Sequence, residues 1–237
     1  MVLGKTVETG GMERPCPRHV AVVGAGLSGL AVTVALLRRL HRPFGISMID
    51  AGDAPGALAG GAADEGLTAE PARSLSLFPE RPDDFADWLK GTLLADGSVF
   101  ALNGPGSLHV RPSLLRSYVM ARFAEAIGAR RDVGMRMLRE RVMRIDPLAE
   151  GGRVVFDDGG MADFDHVFVA ADAARLTPDR GSLSADDNGR LFAGGERLAG
   201  LSVVGAAASG FPETVRKAYR AVLEVRPRGV THTRRPA

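Results

Sequence analysis

Residues 19–32 read His-Val-Ala-Val-Val-Gly-Ala-Gly-Leu-Ser-Gly-Leu-Ala-Val, and no other stretch of the chain restricts its fold so tightly. Val20 to Val23 form a short apolar run of the kind that is buried on both faces of a parallel sheet. Gly24, Gly26 and Gly29 follow as G-x-G-x-x-G, and the apolar spacing from Leu30 to Leu40 is helical. A second apolar run, Ile46-Ser-Met-Ile, ends on Asp50, 21 residues after Gly29. Each part has a physical job. Gly24 permits a tight turn, Gly26 lets the backbone approach a pyrophosphate, and Gly29 lets the helix pack closely on the strand. The free amides and dipole of the helix start then face the phosphates, and Asp50 accepts hydrogen bonds from a ribose. Thirty glycines in 237 residues would produce an isolated G-x-G-x-x-G by chance. Strand, glycines, helix, second strand and acid in register specify a dinucleotide site.

The same stretch carries a competing reading. Val20 to Leu37 is an 18-residue run without a charge, flanked by Arg18 and by Arg38-Arg39, and its length suits a membrane span. Glycines at fingerprint spacing and an acidic strand end fit a buried strand and a packed helix instead, so no membrane partner is expected. The 30 basic and 28 acidic residues leave a net charge of +2, too small to imply a strong field. Part of the excess lies in Arg226, Arg228, Arg234 and Arg235, which read as a solvated end, so no nucleic-acid partner is expected. Cys16 is the only cysteine, which excludes an internal disulfide and a C-x-x-C pair and fits the reducing cytoplasm. His, Asp and Glu show no metal-ligand spacing, and no phosphate-binding G-x-x-x-x-G-K-S/T loop occurs.

Organisation along the chain follows from punctuation and period. Residues 1–17, with Gly10-Gly11 and Pro15-Cys-Pro17, read as a disordered leader, and 226–237 as a disordered basic tail. One domain is expected over 18–225. Ala51 to Glu70 is rich in Gly and Ala and reads as loop. Pro82, Asp83 and Asp84 look like a helix first turn, with Phe85, Trp88 and Leu89 on its core face. Pro112 opens a second helix with Leu115, Tyr118, Val119, Phe123, Ala126 and Ile127 on one face, and Gly128 stands where a C-terminal cap belongs. Arg141 to Asp146, Arg153 to Asp157 and Met161 to Phe164 form an antiparallel meander around glycine turns. His166 to Ala170 is a buried-type strand, and Ala171 to Asn188 reads mostly as loop. Arg190 to Ala193 and Leu201 to Gly205 are strand candidates, and Pro212 to Val225 is a final helix.

This order resembles the flavin domain of two-dinucleotide-domain flavoproteins. Ser76-Leu-Phe-Pro-Glu-Arg-Pro-Asp-Asp-Phe-Ala-Asp-Trp-Leu89 and Val110-Arg-Pro-Ser-Leu-Leu-Arg-Ser-Tyr118 narrow the likeness to the bacterial FAD-NAD(P)-binding family, in a shortened form. The resemblance implies an α/β, Rossmann-like FAD-binding domain with a central parallel sheet, a small antiparallel meander and a C-terminal strand-helix return. It implies that Gly24, Gly26, Leu27, Ser28 and Gly29 lie along the FAD pyrophosphate, and that Asp50 with Ala51 meets the ribose. It also implies that Val142 presents its backbone to adenine and that Gly205 with Ala206 approaches the ribityl-flavin end. Family members are usually longer and insert an NAD(P)H domain. Here only Ala171 to Gly200 separates Val169 from Leu201. The strand after the meander ends in Ala170-Ala-Asp172 where the family has Ala-Thr-Gly, and Gly205-Ala206 replaces a common Gly-Asp. A family Asn before the Ser-Leu-Phe-Pro stretch would fall near Ala69 and is absent here.

No protein nucleophile or acid–base pair stands out, as expected where a flavin carries the chemistry; the catalytic residues are unassigned. His109 and Arg73 are candidates for the substrate or phosphate side, whereas His19, His41 and His166 read as structural. Three functions remain open. The first is an FAD-dependent oxidoreductase of a small-molecule substrate, with NAD(P)H or a separate reductase as external electron donor. The second is a catalytically degenerate binder of FAD or another adenine dinucleotide. The third is an NAD(P)-dependent dehydrogenase, which the meander and late strand disfavour. The late strand is expected beside the first strand unit, with Gly205 adjacent in space to Gly24.

Overall fold

The computed structural model describes residues 18–52, 66–96, 101–102, 108–170, 183–205 and 210–225. Its centre is a seven-stranded sheet. β1 (Arg18–Val23) leads through α1 (Leu27–Arg39) to β2 (Phe44–Ile49), which pairs parallel to β1. A 3-10 turn (Ala72–Ser74), α2 (Asp84–Asp96), a two-stranded hairpin of β3 (Ala101–Leu102) and β4 (Leu108–His109), and α3 (Pro112–Gly128) follow. β5 (Val133–Leu138) then joins the sheet beside β2. β6 (Val142–Pro147), β7 (Gly152–Phe156) and β8 (Met161–Phe164) form a separate antiparallel meander. β9 (His166–Val169) returns to the sheet on the other side of β1. β10 (Leu183–Ala185), β11 (Arg190–Ala193) and β12 (Glu196–Val203) precede α4 (Phe211–Val222). The strand order is β10-β11-β12-β9-β1-β2-β5, with β12, β9, β1, β2 and β5 parallel.

Alternation along β1 explains why its run is apolar throughout. Val20 and Val22 face a core shared with α1, α3 and α4, whereas Ala21 and Val23 face one shared with the meander. Side chains of successive strand residues point to opposite faces, so a strand covered on both sides must be apolar at every position. The helix layer is built as its periodicity implies. Phe85 and Leu89 of α2 are buried, as are Leu115, Tyr118 and Val119 of α3 and Val215, Ala218, Tyr219 and Val222 of α4. Phe85, Trp88 and Tyr118 stack with centroids 4.7–6.1 Å apart, so the aromatic face of α2 is core.

A buried polar knot fixes the Ser76–Leu89 stretch to α3. The Tyr118 hydroxyl accepts the Leu77 N–H at 2.9 Å and donates to Asp84 at 2.9 Å, and Arg122 reaches the same carboxylate oxygen at 2.8 Å. Burial first, then the neighbouring Asp84 carboxylate, pushes the Tyr118 phenol well above its ordinary range, so it stays protonated and able to donate. Arg130, just beyond α3, donates to the carbonyls of Leu37, Leu40 and Arg42 and so closes the end of α1.

Four features depart from the sequence reading. β5 was not expected; Gly134 and Arg136 are exposed on it, which breaks the apolar run of an edge strand. β10 lies inside the expected loop of 171–188. β12 begins at Glu196, directly after the Gly194-Gly195 turn, and pairs with β9 rather than with β1. Gly128 is the last residue of α3 and is not left-handed; Ala129 closes the helix through its N–H to Glu125 O. The leader, the tail and Ala206 lie outside the described residues.

Candidate functional site

The parallel strands end together at one edge, and sequence direction changes there. The chain passes from β1 to β2 on one side and reaches β9 on the other, which makes the end of β1 a topological switch point. Ligands of open α/β sheets bind in the crevice outside the strand ends at such a point. Here the crevice is closed by the glycine loop. Gly24 donates to Ile49 O at 2.8 Å with a φ of 101°, which an L side chain rarely adopts. A Cβ on Gly29 would run into the carbonyl of Gly24, so this glycine sets the distance between α1 and β1.

Gly26 stands at the N-cap of α1 with no side-chain cap. Leu30 N–H, bonded to Gly26 O at 3.0 Å, is the first amide the helix satisfies. The amides of Leu27, Ser28 and Gly29 precede it and have no partner in the helix, and the dipole adds positive potential at the same place. No acidic side chain lies in this first turn. Such an end attracts an anion.

Two expected neighbours, Asp50 and Gly205, meet that end. Asp50, at the end of β2, accepts the Ala25 N–H at 2.6 Å and the Gly52 N–H at 2.8 Å. A carboxylate offers about four acceptor positions, so two remain for hydroxyl groups. Asp50 therefore braces the glycine loop as well as ending β2, a second duty that spacing alone does not reveal. Gly205 follows β12 and presses on α1: a Cβ there would lie 2.6 Å from Ser28 Oγ. Its φ is 91°. The late glycine therefore meets the fingerprint at Ser28, across β9, instead of through a strand paired to β1. Val142, at the start of β6, is buried with Val23 and Ile49. Ala51 is exposed next to Asp50.

The outlying candidates separate. Arg73 is exposed on the 3-10 turn. His109 Nδ1 lies 2.8 Å from the Thr68 carbonyl. His19 bonds Ser47 Oγ at 2.9 Å, and burial together with Arg136 lowers its pKa. His166 bonds Ser202 Oγ at 3.0 Å and stacks on Phe168 at 4.4 Å. Burial first, then Arg18, pushes its pKa down to about 3, so it is a neutral core residue. Glu70 was missed by sequence reasoning: its carboxylate packs against Gly210, the N-cap of α4. No spacing signal marks it. Among the described residues no group of three His, Cys, Asp or Glu could hold a metal ion, and no helix is long and apolar enough to cross a membrane.

Helix-start amides without a partner in the helix, a glycine loop held close to α1 and a carboxylate with acceptor capacity to spare fit an adenine dinucleotide. A family model described as FAD-NAD(P)-binding matches residues 21–172. No curated protein matches the chain. Among solved structures, THI4 from Thermovibrio ammonificans is similar at a TM-score of 0.54 and 12% identity, over 88% of this chain and 88% of that one. That likeness is one of fold. A flavin-containing monooxygenase from Stenotrophomonas maltophilia matches at a TM-score of 0.41 and 20% identity, over 65% of this chain and 38% of that one. Cyclohexanone monooxygenase from Rhodococcus sp. Phi1 bound to NADP+ matches at 0.44 and 17% identity, over 73% and 27%. This chain thus spans well under half the length of either monooxygenase.

Proposed function

The chain belongs to the FAD-NAD(P)-binding family, and from that premise we propose that it is a flavin-dependent oxidoreductase of a small-molecule substrate. Bound FAD supplies the capacity to take up and pass on electrons, which no side chain here has. The protein's own contribution is to hold and orient the group. In this reading Gly24, Gly26, Leu27, Ser28 and Gly29 line the pyrophosphate, Asp50 and Ala51 take the ribose, and Val142 offers its backbone to adenine. Gly205 approaches the ribityl-flavin end, and Ala206 is assigned with it from the sequence alone. Residues 18–225 act as one nucleotide-binding domain, and NAD(P)H or a separate reductase supplies electrons. A single cysteine suits work in the reducing cytoplasm.

The observation that carries this reading is the meeting of Gly205 with Ser28 at the open N-terminus of α1. A site for a mononucleotide needs only the first strand unit. Here a strand from the end of the chain returns to the same helix start, as a cofactor extending beyond the pyrophosphate requires. A second reading, a dinucleotide binder without turnover, draws on the sequence Gly205-Ala206, which lacks the acid of the common Gly-Asp pair.

Absorbance of the purified protein at flavin wavelengths tests the proposal, with Gly26→Val as control. Gly26 has φ −69° and ψ −171°, extended backbone that valine adopts without strain, so the fold is expected to survive, which far-UV circular dichroism checks. Its side chain occupies the approach of the phosphates, and flavin is lost. Yellow protein that bleaches with a substrate supports an oxidoreductase, and yellow but inert protein supports the second reading. Full flavin content in Gly26→Val refutes the placement. Colourless protein that binds NAD(P)H refutes the flavin-dependent oxidoreductase and favours an NAD(P)-dependent dehydrogenase.

A further inference from the structure

The start of α4 is the next element after Gly205, and helix packing fixes its place beside the fingerprint. β1, β9 and β12 run parallel, and α1 and α4 follow the first and last of them onto one shared core. The two helices therefore run side by side in the same direction, packed on each other. The Arg39 guanidinium lies 5.3 Å from the centre of the Tyr219 ring, which sets their register. Nine residues before Tyr219 is Gly210, and nine before Arg39 is Leu30, so α4 starts level with the first turn of α1. Axes of packed helices lie about 8–10 Å apart, which makes the two helix starts neighbours. Gly205, five residues before Gly210, reaches the same end of α1 at Ser28.

A carboxylate from elsewhere in the chain stands at this second helix start. Gly210 is the N-cap of α4, with φ −61° and ψ 164°. A Cβ on it would run into Glu70 Oε1 and lie 3.0 Å from Glu70 Cδ, so the carboxyl group rests against the bare glycine. Backbone and side-chain bonds hold the segment that carries it. Thr68 N–H donates to Val110 O at 2.8 Å, and Thr68 Oγ1 donates to Glu70 O at 2.9 Å. Glu70 is partly buried, yet among the described residues no hydrogen bond or ion pair uses its carboxylate. Such a group has its full acceptor capacity left for a bound donor.

We propose that Glu70 is a cofactor-binding residue whose carboxylate accepts a hydrogen bond from a hydroxyl of the ribityl chain. It takes the part of the acid missing from Gly205-Ala206, supplied from a distant segment. This rests on the FAD-binding reading above. In that reading Gly205 approaches the ribityl-flavin end, and the start of α4 is the next protein surface beyond it. Gly210 is the positioning residue, because only a residue without a side chain lets the carboxylate lie there.

Isothermal titration calorimetry with FAD and with ADP tests this on the full chain freed of flavin. ADP shares the adenosine and pyrophosphate of FAD and lacks the ribityl chain. A hydrogen bond to a charged group predicts that Glu70→Ala raises the FAD Kd on the order of tenfold to a hundredfold and leaves the ADP Kd unchanged. Glu70→Gln, which keeps one uncharged acceptor, falls between. Gly210→Ala adopts the same extended backbone and displaces the carboxylate, so it weakens FAD alone as well. Added to Glu70→Ala, it brings no further loss. Gly26→Val, by contrast, weakens both ligands. An unchanged FAD Kd in Glu70→Ala overturns the assignment and leaves the FAD site standing. Equal losses for FAD and ADP, or loss of folding in both Glu70 variants, show a structural prop and overturn it too. A native chain that does not bind FAD overturns the proposed function, and this inference with it.

Discussion

Gly205→Ala is the sharpest test of how the late strand meets the fingerprint. Two separable costs arise at this position. The φ of 91° is disfavoured for any side chain and costs about 1–2 kcal/mol. The new methyl lies 2.6 Å from Ser28 Oγ and 3.0 Å from Ser28 Cβ, and such overpacking costs about 1–3 kcal/mol. Together they predict a loss of about 2–5 kcal/mol. For a domain of this size each kcal/mol lowers Tm by about 2–4 °C. Urea denaturation followed by far-UV circular dichroism measures the loss. Ser28→Gly removes both clashing atoms, so in the double variant the contact part is recovered and the backbone part remains. The expected coupling is therefore about 1–3 kcal/mol, against an additivity error of about 0.5 kcal/mol. A coupling within that error, or a Gly205→Ala variant as stable as the parent, refutes the contact.

Further outcomes follow from other features. Between β9 and β12 there are 26 residues, fewer than the roughly 30 of one βαβ unit, so this interval holds no second nucleotide fold. NADPH alone should therefore reduce bound flavin slowly and without saturation, since fixed geometry supplies about 7–11 kcal/mol in good cases; fast, saturating bleaching in an anaerobic stopped-flow experiment contradicts this. His166 has its folded pKa pushed down to about 3, mainly by burial, against 6.5 when unfolded. In that window the unfolded chain binds the extra proton, so stability rises with pH from about 3 to 6.5 and is lost as pH falls. At pH 4.5 the loss is about 2–3 kcal/mol relative to pH 7.5. His166→Gln should flatten that slope in urea titrations at several pH values, and an unchanged slope assigns it to other groups. Truncation after Gly200 removes Leu201, Val203 and the apolar face of α4 from the two cores. The product should be insoluble or melt without cooperativity, and a sharp calorimetric transition refutes the claim.

What the sequence made legible was local, and what it hid was relational. The unit from β1 to Asp50 could be read because its signals fall within about 30 residues and each has one steric cause. The meander and both Pro-initiated helices were readable for the same reason. β5 escaped because an edge strand exposes part of one face, and Gly134 and Arg136 take advantage of that freedom. The place of β12 could not be read, since Leu201 to Val203 has apolar neighbours available on either side of β1. Backbone pairing with β9 decides between them, and no residue pattern encodes it. In the site, the glycines and Asp50 were visible, whereas the bracing of Ala25 by Asp50 and the seat of Gly205 on Ser28 exist only after folding.

β12 also imposes an order in time. Ribosomes deliver about 5–20 residues per second, so the interval between Arg18 and Val203 is roughly 10–40 s. Throughout it the nascent chain carries α1, with nine of its thirteen residues destined for burial, before the strand that seats Gly205 exists. β9 faces the same wait, because its partner on one side is made early and on the other last. The glycine loop is therefore among the first parts synthesised and among the last to reach its final shape. Cofactor loading belongs after β12 has been made and paired, and until then the half-made sheet is a natural client for a chaperone.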